Sequence, residues 1–402
     1  MNRPRDRKGP GALASAAIDQ GLLSLGRNLG TGDLRGRARG ALKRGLHPLY
    51  RRLERDVHPL RYLFLEITRR CNLACRHCGS DCDREARPGE LSTAEWLWVI
   101  DQVARDFDRS SLAVVLTGGE PLCHPELDEI LRALARNGLA WGLVTNGWWL
   151  TPKNIGRLRA AGMASITVSL DGLQASHDWL RGRAGSFERA LEGLRGLAEQ
   201  APRFFDVVTC VHPGNLGELS DVQELLRQVG VPIWRLFPIF PKGRALASPE
   251  LLLGPGGFEG LLRFIAEARR AEADRTRRGE PAMSVELTCE GFLPEAWDRA
   301  VRSEPYFCRA GISVASVLHD GAVGACPNIS RRLVQGDIRK DPLAWIWEER
   351  FGPYRDRSWL KGGQCASCQD FDRCQGNSLH LWDEERQGCG LCTRELLGSP
   401  AP

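Results

Sequence analysis

At 402 residues, with 42% hydrophobic and 26% charged side chains, the chain has the size and make-up of a soluble globular protein of two domains, or of one barrel with additions. The net charge of +5 is unevenly placed: residues 1–58 hold 13 Lys or Arg against 5 Asp or Glu, a net of +8, which leaves −3 for residues 59–402. The body of the chain is therefore not basic, and nucleic acid is excluded as an expected partner. No apolar run approaches the roughly eighteen residues of a membrane span. The basic N-terminus, Met1 to Lys8, is not followed by the apolar region and cleavage site of a signal peptide. Cytoplasm is the expected location, and 14 cysteines in such a chain point to metal ligation rather than disulfides.

Residues 1–33 are rich in Gly, Arg, Asn and Asp and are expected to be poorly ordered. From Leu34 to Val57, Leu42, Leu46, Leu49, Leu53 and Val57 recur at helical steps, which predicts an amphipathic helix with an Arg-rich opposite face. Its leucines are expected to pack on the body of the protein, with contact to a membrane or anionic partner as the less favoured reading. Residues 1–58 thus form a basic N-terminal segment.

Strands are predicted at Tyr62–Ile67, Leu112–Thr117, Ala140–Thr145, Ser165–Leu170, Phe205–Val211 and Ile233–Phe237. Helical patterns at Thr93–Phe107, Pro125–Asn137, Pro152–Ala161, Phe187–Gln200 and Leu219–Val229 fall between them. Regular alternation of this kind predicts a parallel sheet with right-handed crossovers, and six units suit an incomplete (β/α) barrel over residues 59–243. Residues 244–307 read as a helical bridge, and residues 308–402 as a smaller cysteine-rich domain.

The first strand runs straight into a loop bearing Cys71, Cys75 and Cys78, with three and then two residues between them. Three soft thiolates on one short loop can hold three irons of a [4Fe–4S] cluster and leave the fourth iron open. Zinc is the competing reading, and Cys82 is near enough to supply its fourth ligand. The loop resembles that of the radical S-adenosylmethionine (radical SAM) enzymes, with His77 in the place of the aromatic residue before the last cysteine. The resemblance extends from about Leu60 to Cys392. It implies the six-unit partial barrel, a [4Fe–4S] cluster, and SAM bound through its amino and carboxylate groups to the open iron. One electron, delivered by a donor of flavodoxin or ferredoxin type, would then cleave SAM to a 5'-deoxyadenosyl radical that takes hydrogen from a substrate.

Further motifs support the resemblance. Gly118-Gly119-Glu120-Pro121 ends the second strand and is similar to the family's GGEP turn, whose backbone and carboxylate would hold the SAM amino group. The text from Ser169-Leu170-Asp171-Gly172 through His177-Asp178 and Arg181 to Gly185-Ser186-Phe187 implies that Ser169 and Arg181 reach the SAM carboxylate or ribose. Ser186 also reads as a helix N-cap. Gly243, after the sixth strand, would lie beside the adenosyl group.

Cys308 and Cys326, then Cys365, Cys368, Cys374, Cys389 and Cys392, resemble the SPASM extension of radical SAM enzymes, which carries auxiliary [4Fe–4S] clusters. Ser378 stands where that pattern expects a further cysteine. The cluster that would use Cys308 and Cys326 has therefore lost a ligand, while Cys365, Cys368, Cys374 and one of Cys389 or Cys392 still make four. A zinc ribbon is the alternative for this region. Cys210 reads as a core thiol, and Cys289 as a core thiol or, less favoured, as the ligand that completes the depleted cluster. Cys82 and Cys123, both expected at the barrel mouth, are the candidates for a catalytic thiol. SPASM extensions are common in peptide-modifying members, so the leading expectation is an enzyme that crosslinks or oxidises a peptide or protein side chain. A small-molecule substrate such as a tetrapyrrole is the rival, and a non-catalytic iron–sulfur or zinc protein is a third reading.

Overall fold

The computed structural model describes residues 34–200, 204–288, 291–383 and 388–397. The expectations for residues 1–33 and for Cys289 fall outside them. Among the described residues no helix is long and apolar enough to cross a membrane.

The N-terminal helix α1 (Leu34–Val57) has the predicted bounds and leads into β1 (Tyr62–Thr68). There follow α2 (Thr93–Asp106), β2 (Ala113–Gly118), α3 (Leu127–Arg136), β3 (Ala140–Thr145), α4 (Pro152–Ala160) and β4 (Ser165–Ser169). The succession continues with α5 (Gln174–Arg181), α6 (Ser186–Gln200), β5 (Phe204–Val211), α7 (Leu219–Val229) and β6 (Ile233–Pro238). All six predicted strands are present. They run parallel in the order β1 to β6, as right-handed crossovers through the helices require.

Local chemistry explains the boundaries. In β1 the alternate residues Leu63, Leu65 and Ile67 are buried in the core that also contains Trp96, Val99 and Ile100 of α2. The intervening Glu66 and Thr68 take polar partners, His319 and Glu90. Helix α2 begins with a reciprocal capping box between Ser92 and Glu95. Helices α5 and α7 end on Gly182 and Gly230, both in the left-handed conformation that glycine adopts without strain.

The sheet does not stop at residue 243. After helix α8 (Pro255–Arg277), β7 (Ser284–Leu287) pairs in parallel with β6, so the bridge supplies a strand as well as a helix. Helix α9 (Glu295–Val301) leads to β8 (Val314–Val317), which pairs in parallel with β1 on the opposite edge. Strands β9 (Ala322–Gly324) and β10 (Gly336–Asp337) add antiparallel, giving one open sheet of ten strands ordered β10-β9-β8-β1 through β7. The start of the cysteine-rich region is thus hydrogen-bonded into the barrel sheet beside the strand that carries the cluster loop.

Helix α1 packs on the body, but not through the leucines expected to do so. Tyr50 and Glu54 are buried, Arg44 pairs with Asp298 at 3.3 Å, and Arg51 donates to the Arg373 carbonyl at 2.7 Å. Leu42, Leu46 and Leu49, expected in the core, are instead 64%, 48% and 53% exposed. The stripe is present, but it lies beside the contact face.

Candidate active site

The cluster loop leaves the carboxyl end of β1, where a parallel sheet gathers its ligands. All three thiols face N–H donors: Cys71 Sγ takes Asn146 Nδ2 at 3.8 Å, Cys75 Sγ takes Arg181 Nη1 at 3.7 Å, and Cys78 Sγ takes the backbone N–H of Cys82 at 3.5 Å. Donors around sulfur suit thiolates. Three such sulfurs on one loop fit three irons of a [4Fe–4S] cluster.

Cys82 is buried and its thiol is in contact with Cys78. That shared hydrogen bond, helped by Arg244, pulls Cys78 down to about 5, whereas Cys82 is held well above the usual thiol range. Cys82 also lines a cavity of about 500 Å³ with Leu73, Ala74, Arg84, Arg87 and Arg244. The other thiol candidate, Cys123, lies on the opposite flank of the loop with its Sγ 3.9 Å from Asn72 Oδ1. Burial pushes it upward, so it too stands as a thiol.

The Gly-Gly-Glu turn is welded to the cluster loop. The N–H groups of Gly119 and Glu120 donate to the carbonyls of Thr68 and Arg70, each at 2.8 Å. A Cβ on Gly118 would lie 2.1 Å from the Thr68 oxygen, and one on Gly119 2.3 Å from the Arg70 oxygen, so only glycine permits the crossing. With those N–H groups spent, the turn can offer an ammonium only carbonyl oxygen. The Glu120 carboxylate is fully buried and ties β2 to β3 through Thr145 Oγ1 and the Asn146 N–H, both at 2.8 Å. Burial pushes its pKa up to about 7. Gly243 closes the site from β6. Its φ is +56°, its Cβ would fall 2.2 Å from the Cys78 oxygen, and the next N–H, from Arg244, donates to that oxygen at 3.0 Å.

Arg181 has partners beyond the expected ligand carboxylate. Its Nε pairs with Asp171 Oδ2 at 2.6 Å and its Nη1 with Cys75, which leaves Nη2 as the nitrogen for a ligand carboxylate. Ser169 ends β4 half-buried nearby. His77, the family's aromatic position, has its Nδ1 shut away from solvent near Asp171, and burial lowers its pKa to about 4. His77, Asp171 and Cys210 bring their ligand atoms within 4.8 Å of one another. Asp171 is already committed to Arg181 and the Cys210 N–H, and a cation there would abut a guanidinium. Cys210 lies at the edge of this polar centre and also packs against the apolar cluster of Leu180, Ile239, Ala245 and Leu251. Asp178, not Ser186, caps α6: its carboxylate accepts the N–H groups of Gly185 and Phe187 at 2.7 and 2.8 Å. Asn72, Asn146, Asp171 and His177 were not expected at the site. Asp171 and His177 stand in the family text, but no role is assigned to them there.

In the C-terminal region Cys365, Cys374, Cys389 and Cys392 feel one another's charge, and Cys368 lies next to Cys365. Asn377 orders the set, giving its backbone N–H to Cys374 Sγ at 3.1 Å and its amide to Cys389 Sγ at 3.2 Å. Five thiols in one place fit a four-iron cluster with one to spare. Cys308 and Cys326 form a separate pair. Arg357 lowers the pKa of Cys308, while burial pushes Cys326 up to about 11. Here the buried Ser378 faces the Tyr306 hydroxyl at 3.2 Å, and the described donors are two thiols and two hydroxyls. Among the described residues, that set falls short of the four thiolates of a second four-iron cluster.

Residues 65–227 match the radical SAM superfamily, and residues 308–369 match SPASM, an iron–sulfur cluster-binding domain. The AdoMet-dependent heme synthase of Methanosarcina barkeri is 32% identical over 324 residues, 79% of this chain and 90% of that relative. The chain belongs to the radical SAM superfamily. Its cofactors are SAM and a [4Fe–4S] cluster, with auxiliary iron–sulfur in the SPASM region. The PqqA peptide cyclase of Rhizobium meliloti is 28% identical, covering 86% of this chain and 90% of the relative. The solved structure of anSMEcpe with bound AdoMet superposes with a TM-score of 0.63 at 16% identity, over 82% of this chain and 93% of that one, which shows a shared fold.

Proposed function

We propose that this radical SAM enzyme acts on an iron tetrapyrrole, which reverses the order of the two substrate classes expected from the sequence. The carrying observation is the 32% identity to a heme synthase across 90% of that relative. The cavity beside Cys82 is lined by Arg84, Arg87 and Arg244 but also by Asp83 and Glu85, and Arg87 and Arg244 pair with Asp81, so its charge does not choose between the two substrate classes. Bound SAM and the reduced cluster supply the hydrogen-abstracting radical. Around them, the chain's residues hold the reactants. Carbonyls of Gly118 and Gly119 would hold the SAM ammonium, Arg181 Nη2 and Ser169 would hold its carboxylate, and Gly243 would lie beside the adenosine. Cys82 is the candidate thiol that lines this cavity. An electron donor of flavodoxin or ferredoxin type completes the cycle.

The experiment is anaerobic incubation of reconstituted enzyme with SAM, dithionite and iron-coproporphyrin III, with products read by mass spectrometry. Haem formed in step with 5'-deoxyadenosine supports the proposal. SAM cleavage that ignores the tetrapyrrole, with no change in its mass, overturns it. A peptide substrate is the second reading, favoured by the similarity to PqqA peptide cyclase. A short open reading frame beside the gene, with a product modified by the enzyme, would favour that reading.

A further inference from the structure

We propose that the Arg181–Asp171 ion pair raises the reduction potential of the core [4Fe–4S] cluster by presenting its positive end to Cys75. The pair lies inside the barrel beneath the cluster loop, with Arg181 8% and Asp171 0% exposed. Guanidinium Nη1 lies 3.7 Å from Cys75 Sγ, and Nε holds Asp171 Oδ2 at 2.6 Å. Three further bonds fix Asp171. Its other oxygen takes the Cys210 N–H at 2.8 Å, its own N–H donates to His177 Nδ1 at 2.9 Å, and its carbonyl accepts Asn215 Nδ2. The dipole is thus held with arginine toward sulfur and carboxylate away from it.

A buried ion pair is a poor device for stability, because desolvating both charges consumes most of the attraction between them. Its orientation gives it another use. Reduction adds one negative charge to the cluster. A nearby cation in a medium of low dielectric favours that state, and the carboxylate farther off opposes it. The neighbouring imidazole of His177 accepts an N–H and stays neutral, so it adds no competing charge. A second cation, Arg244, stands near Cys78, but it is half-exposed, and Asp81 lies 3.7 Å from its Nε. Water and salt screen such a charge, so Arg244 serves as the control.

The test is an EPR-monitored redox titration of the full, anaerobically reconstituted chain without SAM. The signal followed is the one that later shifts on adding SAM, which separates the core cluster from the auxiliary one. At a fixed potential near the wild-type midpoint, Arg181→Gln should lower the reduced-to-oxidised ratio about tenfold, which is about 59 mV for one electron. Asp171→Asn should raise it by a similar factor, the double variant should return toward wild type, and Arg244→Gln should move it less than either single variant. Shifts of the same sign in both single variants, or an unchanged ratio in both, overturn the proposal. If Arg181→Gln does not hold iron, Asp171→Asn decides alone: a raised ratio supports the proposal and an unchanged one refutes it. A purely structural pair would alter iron loading without opposite shifts in potential.

Discussion

Replacing Gly243 with alanine is the sharpest test of how the barrel closes on its cluster loop. The φ of +56° is left-handed, and an added Cβ would meet the Cys78 oxygen at 2.2 Å, the Gly79 oxygen at 2.6 Å and the Gly79 carbonyl carbon at 2.8 Å. These are backbone atoms, so no side-chain rotation relieves the contact, and the cluster loop has to move by about 1 Å to restore ordinary van der Waals distance. The left-handed conformation costs an L-residue about 1–2 kcal/mol. Losing the Arg244 N–H bond to the Cys78 oxygen costs about 1 kcal/mol more. Together these predict a loss of about 2–3 kcal/mol before any effect on the cluster. Urea unfolding of the apo-protein measures that loss, and iron per chain after reconstitution measures the displacement of Cys78. Gly156→Ala is the control: its Cβ meets nothing within 4 Å inside α4, and the change should stabilise by about 0.5–1 kcal/mol. A Gly243→Ala protein with the wild-type midpoint and full iron would refute the reasoning.

Four other expectations concern further parts of the chain. Ser378 is a poor iron ligand beside thiolates, so reconstituted protein should hold about eight irons, four in each of two clusters, and a value near twelve contradicts the ligand count. Changing Leu42, Leu46 and Leu49 together to Ser should alter stability by no more than about 0.5 kcal/mol, because all three are exposed. Removing residues 1–58 strips Tyr50 and Glu54 from the body and should lower solubility and iron retention, so a truncated protein as stable as the full chain would contradict the packing of α1. His177, buried and accepting the Asp171 N–H, is lowered from 6.5 to about 4. It therefore contributes stability that is present above pH 6.5 and is lost as pH falls toward 4. Glu120, raised from 4.5 to about 7, acts in the opposite sense, with stability lost as pH rises through that range. The informative quantity is the difference in urea midpoint between wild type and His177→Gln across that range, and a difference that does not change with pH contradicts the assignment.

The six strands β1 to β6 were legible because each is a short apolar run between helical patterns, and that alternation has one physical outcome, the parallel sheet. Strand β7 was not, since Ser284-Val285-Glu286-Leu287 is short and half polar, and its place is fixed by pairing with β6. The same holds for β8, whose docking beside β1 no local pattern announces. The three cluster cysteines were legible because their ligand role requires close spacing on one loop. The environment of Cys75 was not, because Arg181 is 106 residues away in sequence and Asp171 reads as half of a turn. Helix α1 shows the limit from the other side. Periodicity gave an apolar stripe, but only the placement of Tyr50 and Glu54 shows which side meets the body.

The central claim is that Cys71, Cys75 and Cys78 hold a cluster whose open iron lets SAM be cleaved by reduction. The direct measurement is the yield of 5'-deoxyadenosine and methionine from SAM and dithionite under anaerobic conditions. The account predicts cleavage by the wild-type chain and none by a variant in which all three cysteines are alanine. Cleavage that persists in that variant, or a wild-type protein that binds four irons at this loop and leaves SAM intact, would contradict it.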